Sequence, residues 1–95
     1  MQIDYTTEAF ASLLQLVNYI ESKNTKGAGL RWLQRFEVFL QKKLLSPAQT
    51  KLYNNETFHQ LNLRCIYFNE WVIAFSYAEN SVLIEALLHT SRVID

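Results

Sequence analysis

LNLRCIYFNEWVIAFSYAENSVLIEALLHTSR, residues 61–92, is the stretch that decides the fold. It holds three apolar runs separated by two short polar breaks. In the first run, residues 61–68, successive side chains point to opposite faces if the segment is a strand. Leu61, Leu63, Cys65 and Tyr67 then share one side, and Asn62, Arg64, Ile66 and Phe68 the other. The second run, 71–77, is dense in the aromatic and β-branched residues that suit strands. The third, 82–88, is apolar on both faces except at Glu85. The breaks Asn69-Glu70 and Ala78-Glu79-Asn80-Ser81 have hairpin length, and Asn tolerates the positive φ such turns need. The stretch predicts a three-stranded antiparallel meander. So apolar a sheet must be covered on at least one face.

Two helical patterns lie upstream. Thr6 or Thr7 can cap the first, with Glu8 in its first turn favourable to the helix dipole. Phe10, Leu13, Leu14, Val17 and Ile20 recur at helical spacing and predict its buried face. Lys23 and Asn24 read as end signals, and residues 25–29 as a flexible turn. The second helix is predicted over 28–45, with Leu33, Phe36, Leu40 and Leu44 as its buried stripe, flanked by Trp32 and Phe39. Arg31, Gln34, Arg35, Gln41 and Lys42 take the polar side, where Val38 is left exposed. Ser46-Pro47 ends the helix, because the residue before proline avoids helical geometry. So short a connection predicts an antiparallel helical hairpin lying across the sheet. Residues 2–5 read as a further strand docked beside the meander, and Phe58 as an anchor for a turn-like segment at 53–57. The order is β-α-α-β-β-β, an α+β domain with a helical hairpin packed on a meander sheet.

Ninety-five residues suffice for one domain with a single modest core. Apolar residues are 49% and charged residues 19% of the chain, which excludes a disordered class. Thirteen aromatic side chains imply either a core of large rings or an aromatic surface kept for a partner. Formal charge sums to zero but is unevenly placed. Residues 23–51 carry seven Lys and Arg against Glu37 alone, a net of +6, which leaves −6 for the rest. Such polarity suits either an acidic partner, protein or nucleic acid, or a merely solvated helix face. The lone Cys65 rules out an internal disulfide and fits a reducing cytosol. No apolar run approaches the roughly 18 residues of a membrane span, and no signal peptide is evident, so a cytoplasmic protein is expected.

Few residues suggest chemistry. His59 and His89 are the only histidines and form no Cys/His pattern of metal-ligand spacing; no metal and no cofactor is expected. Both glycines, Gly27 and Gly29, fall between the helices rather than in a phosphate loop. Arg64, His89 and Arg92 remain, all on the meander or at its end. Arg64 interrupts an apolar strand, so it either pairs with a carboxylate such as Glu85 or faces a groove, where its fork can hold a phosphate or a partner's carboxylate. His89 can act as acid or base near neutral pH or be a hydrogen-bonded structural residue.

The element order and three local patterns resemble the RelE/ParE superfamily of bacterial type II toxins. The patterns are Leu63-Arg64, Trp71-Val72-Ile73-Ala74-Phe75 and the closing IEALLHTSR at 84–92, which looks like the ending of ParE-type, plasmid-stabilisation toxins. Ser46-Pro47 also falls where that family usually has a proline. The resemblance implies a toxin held inactive by a cognate antitoxin that covers its helical hairpin and sheet edge. RelE-type members cut messenger RNA on the ribosome, and in that case Arg64, His89 and Arg92 are the candidate catalytic residues. Such enzymes tend to be strongly basic, with an Arg early in the second meander strand and paired lysines before the first. Here Trp71-Val72 and a single Lys51 stand at those places, and net charge is zero. ParE-type members are associated instead with inhibition of DNA gyrase through protein binding, not catalysis by the toxin. The resemblance is closer to that branch, with Arg31, Arg35, Lys42, Arg64, Trp71, His89 and Arg92 as candidate partner-binding residues. A third reading is a non-toxic relative kept to bind an antitoxin.

Overall fold

Alternation and turn chemistry build the meander as expected. The computed structural model describes residues 2–44, 63–79 and 81–90. The Ser46-Pro47 helix stop, the Phe58 anchor, Leu61, Asn62 and Arg92 lie outside them. Strand β2 (Arg64–Phe68) pairs antiparallel with β3 (Trp71–Ala78), and β3 with β4 (Ser81–His89). Asn69 begins the first turn at φ 53° and Glu79 the second at φ 54°, the positive φ a tight hairpin demands. Strand β1 (Gln2–Tyr5) docks in parallel against β4, so the sheet is mixed, in the order β1-β4-β3-β2.

Strand β4 does not run evenly. Its pairing steps from Ala74↔Ala86 to Phe75↔Ile84, leaving Glu85 as the extra residue of a bulge. The bulge meets the start of helix α1 (Thr7–Lys23) through one residue. The Thr6 amide donates to the Ile84 carbonyl at 2.9 Å, its hydroxyl lies 3.4 Å from the Glu85 carbonyl, and that hydroxyl accepts from the Ala9 amide at 3.1 Å. Thr6 therefore caps α1 and fixes where the helix leaves the sheet.

The helices bury faces turned slightly from those expected. In α1 the buried residues are Ala9, Leu13 and Leu16, while Phe10 and Leu14 are about half exposed. Ala9 brings the helix close to the sheet, and Phe10 rests edge-on against Tyr5 instead, 6.1 Å between centroids. Helix α2 (Ala28–Lys43) buries Gly29, Trp32, Phe36 and Leu40, and its Leu44 cap is buried too. Leu33 and Phe39 are only partly buried, so Trp32 takes the central place expected of Leu33. The wide indole fills the space: it stacks on Phe36 at 5.1 Å, and Phe68 closes edge-on against both rings. Each such side chain, fully buried, contributes about 1.5–3 kcal/mol. The aromatic wealth is thus mostly core, although Tyr19, Tyr67 and Tyr77 are exposed.

Gly29 is helical, not part of the turn. A Cβ there would lie 2.5 Å from the Val17 carbonyl oxygen, which shows how closely α1 and α2 cross. Gly27 has φ 87° and makes the turn itself. On the sheet, Ile66, Ile73, Phe75, Val82, Ile84 and Leu87 meet the helices. Leu63, Val72 and Ala74, with Cys65 and Ala86, form a second apolar cluster. Arg64 and Glu85 do not face each other as expected. Arg64 is opposite Phe75 on the outer strand, Phe75 is opposite Ile84, and β3 thus lies between β2 and the Glu85 bulge. The Arg64 guanidinium instead lies 5.4 Å from the centre of the Tyr77 ring. Among the described residues no helix is long and apolar enough to cross a membrane.

Candidate partner-binding surface

The basic excess of residues 23–51 acquires a shape at the turn end of the helical hairpin. Arg31 and Arg35 are one helical turn apart on α2 and so share a face. Lys23, in the last turn of α1, comes to the same place. Together they line an open cleft of about 690 Å³. Its apolar lining is Ile20 and Ala28, half-buried, and Trp32, buried. The cations are exposed. Arg31 is held in place by the Lys26 carbonyl at 3.3 Å and the Thr25 hydroxyl at 3.1 Å. Lys42 is exposed near the far end of α2, about 10 Å along the helix from Arg35, and does not line the cleft.

Glu21 organises the cleft from behind. Its two carboxylate oxygens accept from the Gly27 amide at 2.7 Å and the Gly29 amide at 2.9 Å, capping α2 from the preceding helix. Those amides, aided by the Arg31 charge and opposed by partial desolvation, hold its pKa below the usual carboxylate value. Two amides at the start of α2 are therefore already engaged by Glu21. At the other end of the hairpin, burial first and the Glu37 carboxylate second push the Tyr5 phenol up.

The meander candidates fall into two separate places. His89 ends β4 opposite Trp71 and meets its ring edge-on at 5.2 Å. Its Nε2 lies 3.3 Å from the Glu70 carboxylate in the β2–β3 turn, and the Thr90 amide donates to the Glu70 carbonyl at 2.8 Å. Arg64 begins β2 on the edge of the sheet and is opposite Phe75, in the middle of β3. Four residues along a strand and two strands across put the two backbones about 16 Å apart. Groups that share one proton transfer must come within about 3 Å of the same atom. The Arg64 guanidinium lies beside Tyr77, beyond Phe75 from the Trp71 that His89 meets. Among the described residues, no three His, Cys, Asp or Glu side chains gather where they can hold a metal ion.

No family model matches the chain, and no curated protein matches it. A solved chain of the chromosomal ParDE TA system from P. aeruginosa does match in three dimensions. The TM-score is 0.74, over 94% of this chain and 95% of that one, at 12% sequence identity. The fold is RelE/ParE-like. At such low identity the likeness is one of backbone architecture, and the RelE/ParE-like frame leaves the side chains of the surface to be read from this chain alone.

Reading the sequence found Arg31 and Arg35 but not the cleft they line. Lys23 reads there as a helix-end signal and Trp32 as a flank. The missed clue is the crossing at Gly29: a glycine four residues ahead of Leu33, inside a helix that has no need of it, marks where the hairpin closes and brings Lys23 to Arg31.

Proposed function

We propose that the chain is the toxin of a bacterial type II toxin–antitoxin system, of the ParE kind. Residues 1–95 act as one cytoplasmic domain, held inactive by a cognate antitoxin and, when released, inhibiting DNA gyrase by binding it. The observation that carries this reading is the likeness, over nearly the whole of both chains, to a member of a ParDE TA system. Three features of this chain support gyrase over messenger RNA as the target. The Arg64 and His89 backbones stand about 16 Å apart on the sheet, and the Arg64 guanidinium lies beside Tyr77 rather than beside Trp71 and His89. Trp71, which packs on His89, stands where the nuclease branch would have an arginine nearby. A net charge of zero gives little general attraction to ribosomal RNA. Arg31, Arg35, Lys42, Arg64, Trp71, His89 and Arg92 are the residues through which we expect antitoxin and target to be met.

Controlled expression of the chain without its antitoxin tests the reading. Growth arrest accompanied by a DNA-damage response and gyrase-dependent DNA breaks is the expected result. Arrest with intact DNA and codon-positioned mRNA cuts would replace it by the ribosome-dependent nuclease, and harmless expression with tight binding to a neighbouring gene's product by the non-toxic relative.

A further inference from the structure

We propose that the cleft at the turn end of the helical hairpin is a docking site for an acidic peptide carrying one apolar side chain between its carboxylates. Three cations, Lys23, Arg31 and Arg35, surround an apolar patch of Ile20, Ala28 and Trp32. Arg31 spends two of its donors on Lys26 and Thr25, which orients its fork and leaves its remaining N–H groups for a ligand. Arg35 has no hydrogen bond or ion pair among the described residues. Glu21 stays ionised as it accepts from the Gly27 and Gly29 amides, and its charge also acts on Arg31. Three cations against that one carboxylate leave the open cleft of about 690 Å³ with an excess of positive charge.

The same geometry argues against nucleic acid. Single strands are gripped by aromatic faces on which bases stack. Trp32 offers no such face: Phe36 lies parallel to it at 5.1 Å, Phe68 meets it edge-on, and the indole is buried. Beyond residues 23–51 the chain is net negative, which repels a phosphate backbone extending past the cleft. A peptide needs only to set two carboxylates against the guanidinium forks and one apolar side chain on the patch. This inference rests on the toxin–antitoxin reading only for the origin of that peptide, an acidic segment of the antitoxin.

The test is fluorescence anisotropy with the full chain and a short labelled peptide of Asp and Glu flanking one Leu. Binding should fall with salt, be lost when Gln and Asn replace Asp and Glu, and weaken when Ser replaces the Leu. It should weaken about tenfold in Arg31→Gln and in Arg35→Gln, each of which removes a charged hydrogen-bonding partner, and stay unchanged in Lys43→Gln, at an exposed residue outside the cleft. Circular dichroism of the variants confirms that they are folded. Absence of peptide binding, insensitivity to both Arg substitutions, or equal binding of a single-stranded oligonucleotide that those substitutions also weaken, overturns the proposal. Growth arrest is scored separately, so a chain that binds the peptide but is harmless refutes the toxin reading and leaves the cleft standing.

Discussion

Replacing Gly29 by alanine sets two effects of known size against each other. In an open helix the change gains about 1 kcal/mol, because alanine loses less backbone freedom. Here the new Cβ would fall 2.5 Å from the Val17 carbonyl oxygen, with Val17 Cγ1 at 3.1 Å and Glu21 Cβ at 3.2 Å. The nearest atom belongs to the backbone of α1, so no rotamer change relieves the contact. The helices must move apart by most of an ångström, which loosens the seam around Val17 and draws the Gly29 amide from Glu21. Overpacking that moves backbone costs about 3 kcal/mol at the upper end of the usual range. A net loss of about 2 kcal/mol follows, and for a chain of this length that lowers Tm by roughly 10 °C.

Urea unfolding followed by the fluorescence of Trp32 and Trp71, with thermal circular dichroism beside it, measures the loss. Two controls bound it. Leu30→Ala, one residue on and exposed, should stay within about 0.5 kcal/mol. Gly27→Ala meets only the movable tip of Arg31 at 2.9 Å, so its cost is the φ of 87° alone, about 1 kcal/mol. A Gly29→Ala chain as stable as the parent, or more so, would refute the close crossing on which the cleft depends.

Further outcomes follow from the same contacts. Glu21→Gln should destabilise the hairpin at neutral pH but not in acid: a depressed folded pKa contributes stability above the ordinary value of 4.5 that is lost as pH falls through the folded one, so urea midpoints of parent and variant should converge there. Thr6→Ala removes the hydroxyl that caps α1 and should cost about 1 kcal/mol by urea denaturation. Phe36→Ala leaves a void under the Trp32 stack and should cost about 3–5 kcal/mol, seen as a collapse of the thermal transition.

The meander was legible because its signals are local. Period-two alternation, two short polar breaks and an Asn able to take positive φ place Ile66, Phe68 and Asn69 without knowledge of anything distant. The helix faces were read one residue off. Ala9 and Phe10 both fit a helical stripe, and the larger residue wins on hydrophobicity alone; the sheet prefers the smaller because it lets α1 come close. Leu33 and Trp32 exchange places for the related reason that the indole has ring partners, Phe36 and Phe68, which come from different elements. The bulge at Glu85 left no trace in the pattern, since an extra residue in an apolar strand resembles any other polar interruption. The same limit governs the site. Arg31 and Arg35 are visible from spacing, but Lys23 joins them only through the tertiary crossing at Gly29.

Where the cations stand decides what kind of work this surface can do. Catalysis brings several groups to one atom, whereas recognition of a macromolecule spreads them over an area. Arg64 is on the outer strand beside Phe75, His89 at the end of β4, and Lys23, Arg31 and Arg35 crown the turn of the hairpin. The Arg64 and His89 backbones are about 16 Å apart, the length of roughly five residues of extended chain. A segment of a protein partner can follow that whole distance. His89 is moreover packed on Trp71 and beside Glu70 at the end of β4. Such dispersion suits an extended protein partner, and so it supports the binding role proposed for the surface of this chain.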